Sequence, residues 1–212
     1  MMEPILDLKG ISKQYSGVMA LENIDLAIQK GKIHSIVGEN GAGKSTLIKI
    51  ITGAVKPTTG SVFFRGSEVH ETNPRKSLEM GISAVYQEFN LISELKIYEN
   101  IFYGRELKKG LTLDAELMKQ RSDEVLKKIG MNMDTEIKLK YLGIGSRQTI
   151  EIAKALIQES EVVLFDEPTA SLTQEEVNNL HRIIKNLRDS GIAVIYVSHK
   201  LDEVFEISDT IT

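Results

Sequence analysis

The residues of this chain best suited to chemistry begin at Gly38. Gly38-Glu39-Asn40-Gly41-Ala42-Gly43-Lys44-Ser45-Thr46 fits G-x-x-x-x-G-K-[ST], a phosphate-binding pattern. The glycines let backbone N–H groups turn inward around a phosphate, and a helix starting there adds partial positive charge. Lys44 would reach the β- and γ-phosphates of a nucleotide, and the Ser45 hydroxyl would hold Mg²⁺. A second group is Asp166-Glu167, two carboxylates that close the apolar run Val163-Leu164-Phe165. Asp166 suits a contact to Mg²⁺ through water, and Glu167 suits polarising a water that attacks phosphorus. Gln87 and His199 stand just past two more apolar runs, 82–86 and 193–197. A glutamine could touch both Mg²⁺ and the attacking water, and a histidine could donate to the γ-phosphate. Singly, each is an ordinary polar residue at a strand end. Four strand ends that carry them together point to one site, because a doubly wound sheet binds ligands at the carboxyl ends of its strands.

The elements that must hold these groups are readable from periodicity. Ile33–Val37 is a short apolar run ahead of the glycine loop and predicts a buried strand. Leu47–Ile51, ended by Gly53, predicts a helix with glycine just past its end. Residues 5–9 and 24–28 alternate apolar and polar, which predicts two half-buried antiparallel strands. Pro57-Thr58-Thr59-Gly60 predicts a turn before the strand Ser61–Phe64. Asn73-Pro74 opens a short helix that Gly81 closes. Thr173-Gln174-Glu175-Glu176 is a capping box ahead of an apolar stripe at Val177, Leu180, Ile183, Ile184 and Leu187. Gly191 ends that helix. Between residues 88 and 158 charged residues and helical spacing dominate, which predicts a helical insertion in an α/β core. The last residues, 208–212, read as the entry to a further strand, as if the domain continued.

Composition narrows the classes. The chain has 212 residues, 42% of them hydrophobic, and a formal charge of −4. That balance does not favour nucleic acid or an anionic membrane surface as partner. No cysteine is present, so disulfides and thiolate metal sites are excluded. The first residues lack a basic segment followed by an apolar core, so no signal peptide is expected. A guanine-reading N-K-x-D motif is not matched either. Asn186-Leu187-Arg188-Asp189 lacks the lysine and lies on the amphipathic helix.

On these motifs, in this order, the chain resembles the nucleotide-binding domain of an ABC ATPase along essentially its whole length. The resemblance implies a P-loop NTPase core of α/β class with an antiparallel β subdomain and an α-helical subdomain. It divides residues 1–212 into a core of 1–87 with 159–212 and a helical subdomain of 88–158. It implies that Tyr15 stacks on adenine, that residues 38–46 hold the phosphates, and that Ser45, Gln87 and Asp166 surround Mg²⁺. Glu167, His199, Lys44 and Gln87 become the catalytic set, with Ala170–Thr173 as the loop after the carboxylate pair. Tyr98–Glu106, Asp166–Thr173 and Ser198–Phe205 are similar to one branch, the ATP-binding subunits of bacterial monosaccharide importers. Members of that branch carry two fused ATPase domains. This chain resembles the first, and the second is not found in it. The implied partners are a second ATPase domain, transmembrane permease subunits and, indirectly, a sugar-binding protein, at the cytoplasmic face of the membrane.

One motif departs from the family. The signature that closes over a partner domain's γ-phosphate is L-S-G-G-Q, or L-S-I-G-x in the sugar branch. Here it is Leu142-Gly143-Ile144-Gly145-Ser146. The helix after it, with Ile150, Ala153, Leu156 and Ile157 at helical spacing, keeps its N-terminal dipole, about 0.3–1 kcal/mol toward an anion. Gly143 has no hydroxyl, so one hydrogen bond to a charged oxygen is lost, on the order of 1.5–3 kcal/mol. Ser146 stands at the wrong offset to replace it. Two other functions therefore stay open: an ATP-dependent dimerisation or regulatory module with little turnover, and an ABC ATPase outside transport.

Overall fold

The computed structural model describes residues 3–70 and 73–212; the first two residues of the N-terminal segment lie outside that range. β1 (Leu6–Tyr15) and β2 (Val18–Ile28) form a hairpin, followed by β3 (Ile33–Val37), α1 (Lys44–Ile51), β4 (Thr59–Phe64) and β5 (Ser67–Glu68). α2 (Pro74–Met80) leads into β6 (Ile82–Val85). Next come α3 (Ile97–Ile101), the short strands β7 (Lys108–Lys109) and β8 (Thr112–Leu113), α4 (Ala115–Lys128), a 3-10 turn at Leu139–Tyr141, and α5 (Ile144–Leu156). β9 (Val162–Asp166), α6 (Gln174–Asp189), β10 (Ala193–Ser198), α7 (Leu201–Ile207) and β11 (Thr210–Ile211) follow.

The strands form a five-stranded sheet in the order β11-β3-β10-β9-β6 and a four-stranded sheet in the order β2-β1-β4-β5. Every pairing in the first is parallel. Every pairing in the second is antiparallel. Side chains of the central strands alternate between two cores, as a two-residue period requires. Val163, Phe165, Val194 and Tyr196 pack with α3 to α7 on one face. Val162, Leu164, Ile195 and Val197 pack on the other face with α1 and the antiparallel sheet. Burial on both faces explains why these strands read as continuous apolar runs. Each such side chain, fully buried, contributes about 1.5–3 kcal/mol.

The helix ends carry the predicted chemistry. Asn73 accepts from the N–H of Lys76 at the start of α2, and Gly81 adopts a left-handed φ of 96° at its end. Thr173 and Glu176 form the reciprocal capping box of α6. Gly53 lies just past α1 with φ 74°.

Three features differ from the sequence reading. β1 and β2 are longer than the alternating runs 5–9 and 24–28. The register shifts between Leu8 and Ile11 at Gly10, whose φ is +60°, so alternation fails at a bulge while pairing continues. The stretch 88–158 is not all helical: β7 and β8 pair as a small antiparallel ladder. α7 was not marked by any periodic run, because only Val204 and Ile207 of its seven residues are buried.

Gly60 joins the two halves of the antiparallel sheet at close range. Its φ is +88°, and a Cβ there would lie 2.6 Å from both the Lys9 carbonyl oxygen and the Gly10 carbonyl carbon. Backbone meets backbone, so nothing flexible can yield. Gly60→Ala is expected to lose roughly 2–4 kcal/mol of stability from the left-handed strain and the overlap. Urea denaturation measures it; an unchanged midpoint would contradict the packing described.

Candidate nucleotide site

Parallel register brings the predicted groups to one edge of the sheet. Val37 pairs with Ser198, Val197 with Asp166, and Val85 with Phe165. The chain therefore leaves β3, β6, β9 and β10 at nearly the same level, toward Gly38, Gln87, Glu167 and His199. The outer edge of β3 is also secured, since the Val37 N–H donates to the Thr212 carbonyl oxygen at 2.8 Å.

The loop 38–46 is shaped by its glycines and by β2. Gly41 and Gly43 have φ of 89° and 94°. A Cβ on Gly43 would lie 2.5 Å from the Ala20 carbonyl oxygen and 2.8 Å from Leu21 Cδ2. Only glycine fits that approach. Gly43 caps α1, and no side chain bonds the first-turn N–H groups. Those donors are the partial positive end of the helix. Lys44 Nζ donates to the carbonyl oxygens of Gly38 at 2.7 Å and Glu39 at 2.9 Å. Its ammonium is thus folded over the loop. Tyr15 pairs with Val18 on the same hairpin that carries Ala20. Tyr15, Val18 and Met19 are 41%, 70% and 49% exposed, an uncovered apolar surface on the hairpin end. Val18 and Met19 were missed from sequence. Strand alternation around a bulge gave no signal for them.

The carboxylate pair is closely held. Glu167 takes a left-handed φ of 47°, uncommon for a residue with a side chain and costing roughly 1–3 kcal/mol. Its N–H donates to the Val197 carbonyl oxygen at 3.0 Å, which ties the turn to β10. Glu167 Oε1 lies 3.2 Å from His199 Nδ1. Burial pushes the Asp166 carboxyl above the ordinary carboxylate range, and the charge on Glu167 adds to the push. Lys44 and Lys49 pull the other way, which puts both α1 cations within electrostatic reach of Asp166. Gln87 is exposed two residues past the end of β6.

The residues 142–146 meet α6 rather than the glycine loop. Gly143 caps α5 with an ordinary φ of −70°, and a Cβ on it would meet nothing within 4 Å. The Gly145 N–H donates to Glu176 Oε1 at 3.0 Å, and the other Glu176 oxygen accepts from the Thr173 N–H at 2.9 Å. Glu176 thus serves two helix starts. The capping-box pattern revealed only one of these jobs. A groove of 180 Å³ is lined by Tyr86, Asn90, Arg105, Glu151 and Lys154 among others. Glu151 Oε1 accepts from the Asn90 N–H at 2.6 Å, and Lys154 Nζ donates to the Asn90 carbonyl oxygen at 2.7 Å.

A parallel sheet with a glycine loop, a lysine and paired carboxylates at its carboxyl edge defines a P-loop NTPase fold. The family model described as ABC transporter matches residues 21–170, and the chain belongs to that family. It is 41% identical over 98% of its length to the galactose/methyl galactoside import ATP-binding protein MglA of Clostridium perfringens. It is 42% identical over 98% of its length to the ribose import ATP-binding protein RbsA of Caldanaerobacter subterraneus subsp. tengcongensis. The chain spans 40% and 42% of those two proteins. It also superposes, with a TM-score of 0.81 and 28% identity, on a dimeric ATP-binding cassette in a post-hydrolysis state bound to ADP and Pi. That match covers 97% of this chain and 92% of the other.

The raised carboxyl of Asp166 has a consequence for stability. A carboxyl whose folded-state value lies above its ordinary 3.8 opposes folding once ionised. The opposition is absent at low pH and develops as pH rises through the folded-state value. Without nucleotide or metal, Asp166→Asn is therefore expected to raise Tm at pH 7, with the advantage shrinking as pH falls toward 3.8. Thermal unfolding monitored by circular dichroism checks this; a lower Tm at pH 7 would contradict it.

Proposed function

We propose that this chain binds and hydrolyses ATP and that the energy drives import of a simple sugar through a membrane permease. The observation that carries the reading is the level set of strand ends, with Glu167 and His199 in contact at 3.2 Å beside the glycine loop. The names of the two import proteins above support the sugar.

In this reading adenine lies on Tyr15 and Val18, and the N–H groups of residues 38–46 hold the phosphates. Ser45, Gln87 and Asp166 offer a hydroxyl, an amide oxygen and a carboxylate, the hard oxygen donors that Mg²⁺ takes alongside phosphates and water. When bound, Mg²⁺ neutralises charge on the β- and γ-phosphate oxygens. Lys44 leaves the carbonyls of Gly38 and Glu39 for the phosphates. Glu167 accepts the hydrogen bond of the attacking water and draws off its proton as the water attacks the γ-phosphorus in line, while the bond from that phosphorus to the bridging β-phosphate oxygen breaks and ADP and phosphate leave. His199 and Lys44 stabilise charge gathering on the equatorial oxygens. Most of the acceleration is positioning and preorganised charge.

Residues 1–87 with 159–212 act as the catalytic core and 88–158 as the helical subdomain. The N-terminus of α5, at Leu142–Ser146, faces a second ATPase domain and closes over its γ-phosphate. The groove at Tyr86, Arg105 and Lys154 receives the permease, so nucleotide contact at Gln87 and permease contact lie side by side. A sugar-binding protein delivers the substrate from the other side, and the chain works at the cytoplasmic face. Among the described residues, no helix is long and apolar enough to cross a membrane. Gly143 favours a second reading in which the partner's composite site binds ATP but turns it over slowly.

Two variants test the assignment. Glu167→Gln is expected to keep MgATP binding within about threefold and to lower kcat by roughly a hundredfold or more, measured by calorimetry and phosphate release. Retained turnover would remove Glu167 from its role. Serine at position 143 meets no steric barrier, as the open space around Gly143 indicates. In a two-domain protein carrying this chain, Gly143→Ser is expected to raise ATPase activity at one of the two composite sites by roughly ten- to a hundredfold, the equivalent of the hydroxyl's hydrogen bond to a charged oxygen. No change would make Gly143 neutral.

A further inference from the structure

One carboxylate outside the groups named so far joins both sides of the reacting pair. Glu203 lies on α7, and its side chain is only 14% exposed. Its Oε2 accepts from Thr169 Oγ1 at 2.7 Å and from the Tyr196 hydroxyl at 2.9 Å. Its Oε1 accepts from Lys200 Nζ at 3.0 Å. Lys200 Nζ also reaches the Thr169 carbonyl oxygen at 3.3 Å, and the Lys200 N–H donates to Ser198 Oγ at 3.0 Å. Thr169 and Tyr196 are 2% and 0% exposed, so these donors have little solvent to fall back on.

The placement of the donors matters more than their number. Thr169 is two residues past Glu167, on the turn that leaves β9. Lys200 is the neighbour of His199, on the turn that leaves β10. Tyr196 anchors the carboxylate to the centre of the sheet. Glu167 itself sits in a strained left-handed conformation, and His199 is half exposed. Neither would keep a 3.2 Å contact without something that fixes the two turns to each other. The backbone bond from Glu167 to Val197 fixes the start of the turns, and Glu203 fixes their far ends.

We infer that Glu203 is a positioning residue, which locks the turn carrying Glu167 to the turn carrying His199 and so sets the distance between those two side chains. The inference rests on the proposed ATPase reading for its kinetic consequence but not for its geometric one.

The experiment uses this 212-residue chain with Glu203→Ala, Glu203→Gln, Tyr196→Phe and, as control, Glu206→Gln. Glu206 is on the same helix and pairs instead with His181 and Lys185, each at 3.3 Å. The first readout is the His199 side-chain signal in the isotope-labelled chain without nucleotide, assigned with His199→Asn. The second is kcat and KM for MgATP. In Glu203→Ala the His199 signal is expected to broaden or split, and kcat to fall roughly tenfold with KM changed by less than about twofold. Glu203→Gln falls between wild type and alanine, because its amide oxygen still accepts from Thr169 and Tyr196. Tyr196→Phe shows a smaller effect in the same direction, and Glu206→Gln none. An unchanged His199 signal in Glu203→Ala overturns the inference, as does an equal effect from the control. If Glu203→Ala does not fold, Glu203→Gln and Tyr196→Phe decide on the same criteria. A wild-type chain that binds MgATP without hydrolysing it defeats the functional reading, and the His199 signal still judges Glu203.

Discussion

Parallel pairing of β3, β10, β9 and β6 in one register is the constraint from which the site follows. With Val37 opposite Ser198 and Val197 opposite Asp166, the first free residues beyond each strand come out side by side. A slip of one residue would invert every side chain between the two cores. It would turn Val163 and Phe165 away from the helices and Leu164 away from α1. The hydrophobic packing of both faces therefore fixes the level of the strand ends. Groups far apart in sequence meet because apolar side chains on the strands leave them no other arrangement.

The site is built against local preference. Glu167 stands in a left-handed conformation, Asp166 has a carboxyl that burial disfavours when charged, and the first turn of α1 has no side-chain cap. The last two would be relieved by an anion and a cation arriving together: phosphate on the uncapped first turn of α1, and a metal beside Asp166. Sites that bind charged ligands commonly hold such unrelieved features, supported by a rigid surround. Here the surround is visible. β2 presses on Gly43, β10 holds the Glu167 N–H, and Glu203 gathers donors from both turns.

Much of this was legible in the sequence, for identifiable reasons. Central strands buried on two faces show as unbroken apolar runs, and caps such as Asn73-Pro74 and Thr173-x-x-Glu176 use local hydrogen bonds that spacing alone reveals. The glycine loop and the carboxylate pair stand out because their chemistry needs fixed offsets. What stayed hidden depends on contacts between distant segments. The bulge at Gly10 breaks the two-residue period, so the length of β1 could not be read. β7 and β8 are two residues each, below any periodic signal. Val18 reads as a strand residue until its exposure beside Tyr15 is known. Glu203 looks like one more charge on a short polar helix until three donors converge on it.

The assignment also explains why the chain offers two unlike surfaces. At residues 38–46 it has a helix start with no side-chain cap and a lysine folded over the loop. At Leu142–Ser146 it presents a helix start whose neighbours belong to α6, away from its own glycine loop. In the proposed reading, a site made from these two surfaces needs two domains, one supplying each. The most direct test is the dependence of ATP hydrolysis on the concentration of this chain. The account predicts specific activity that rises with protein concentration, as two copies complete each other's sites. Specific activity that is high and independent of concentration would show a site complete within one copy and contradict the account.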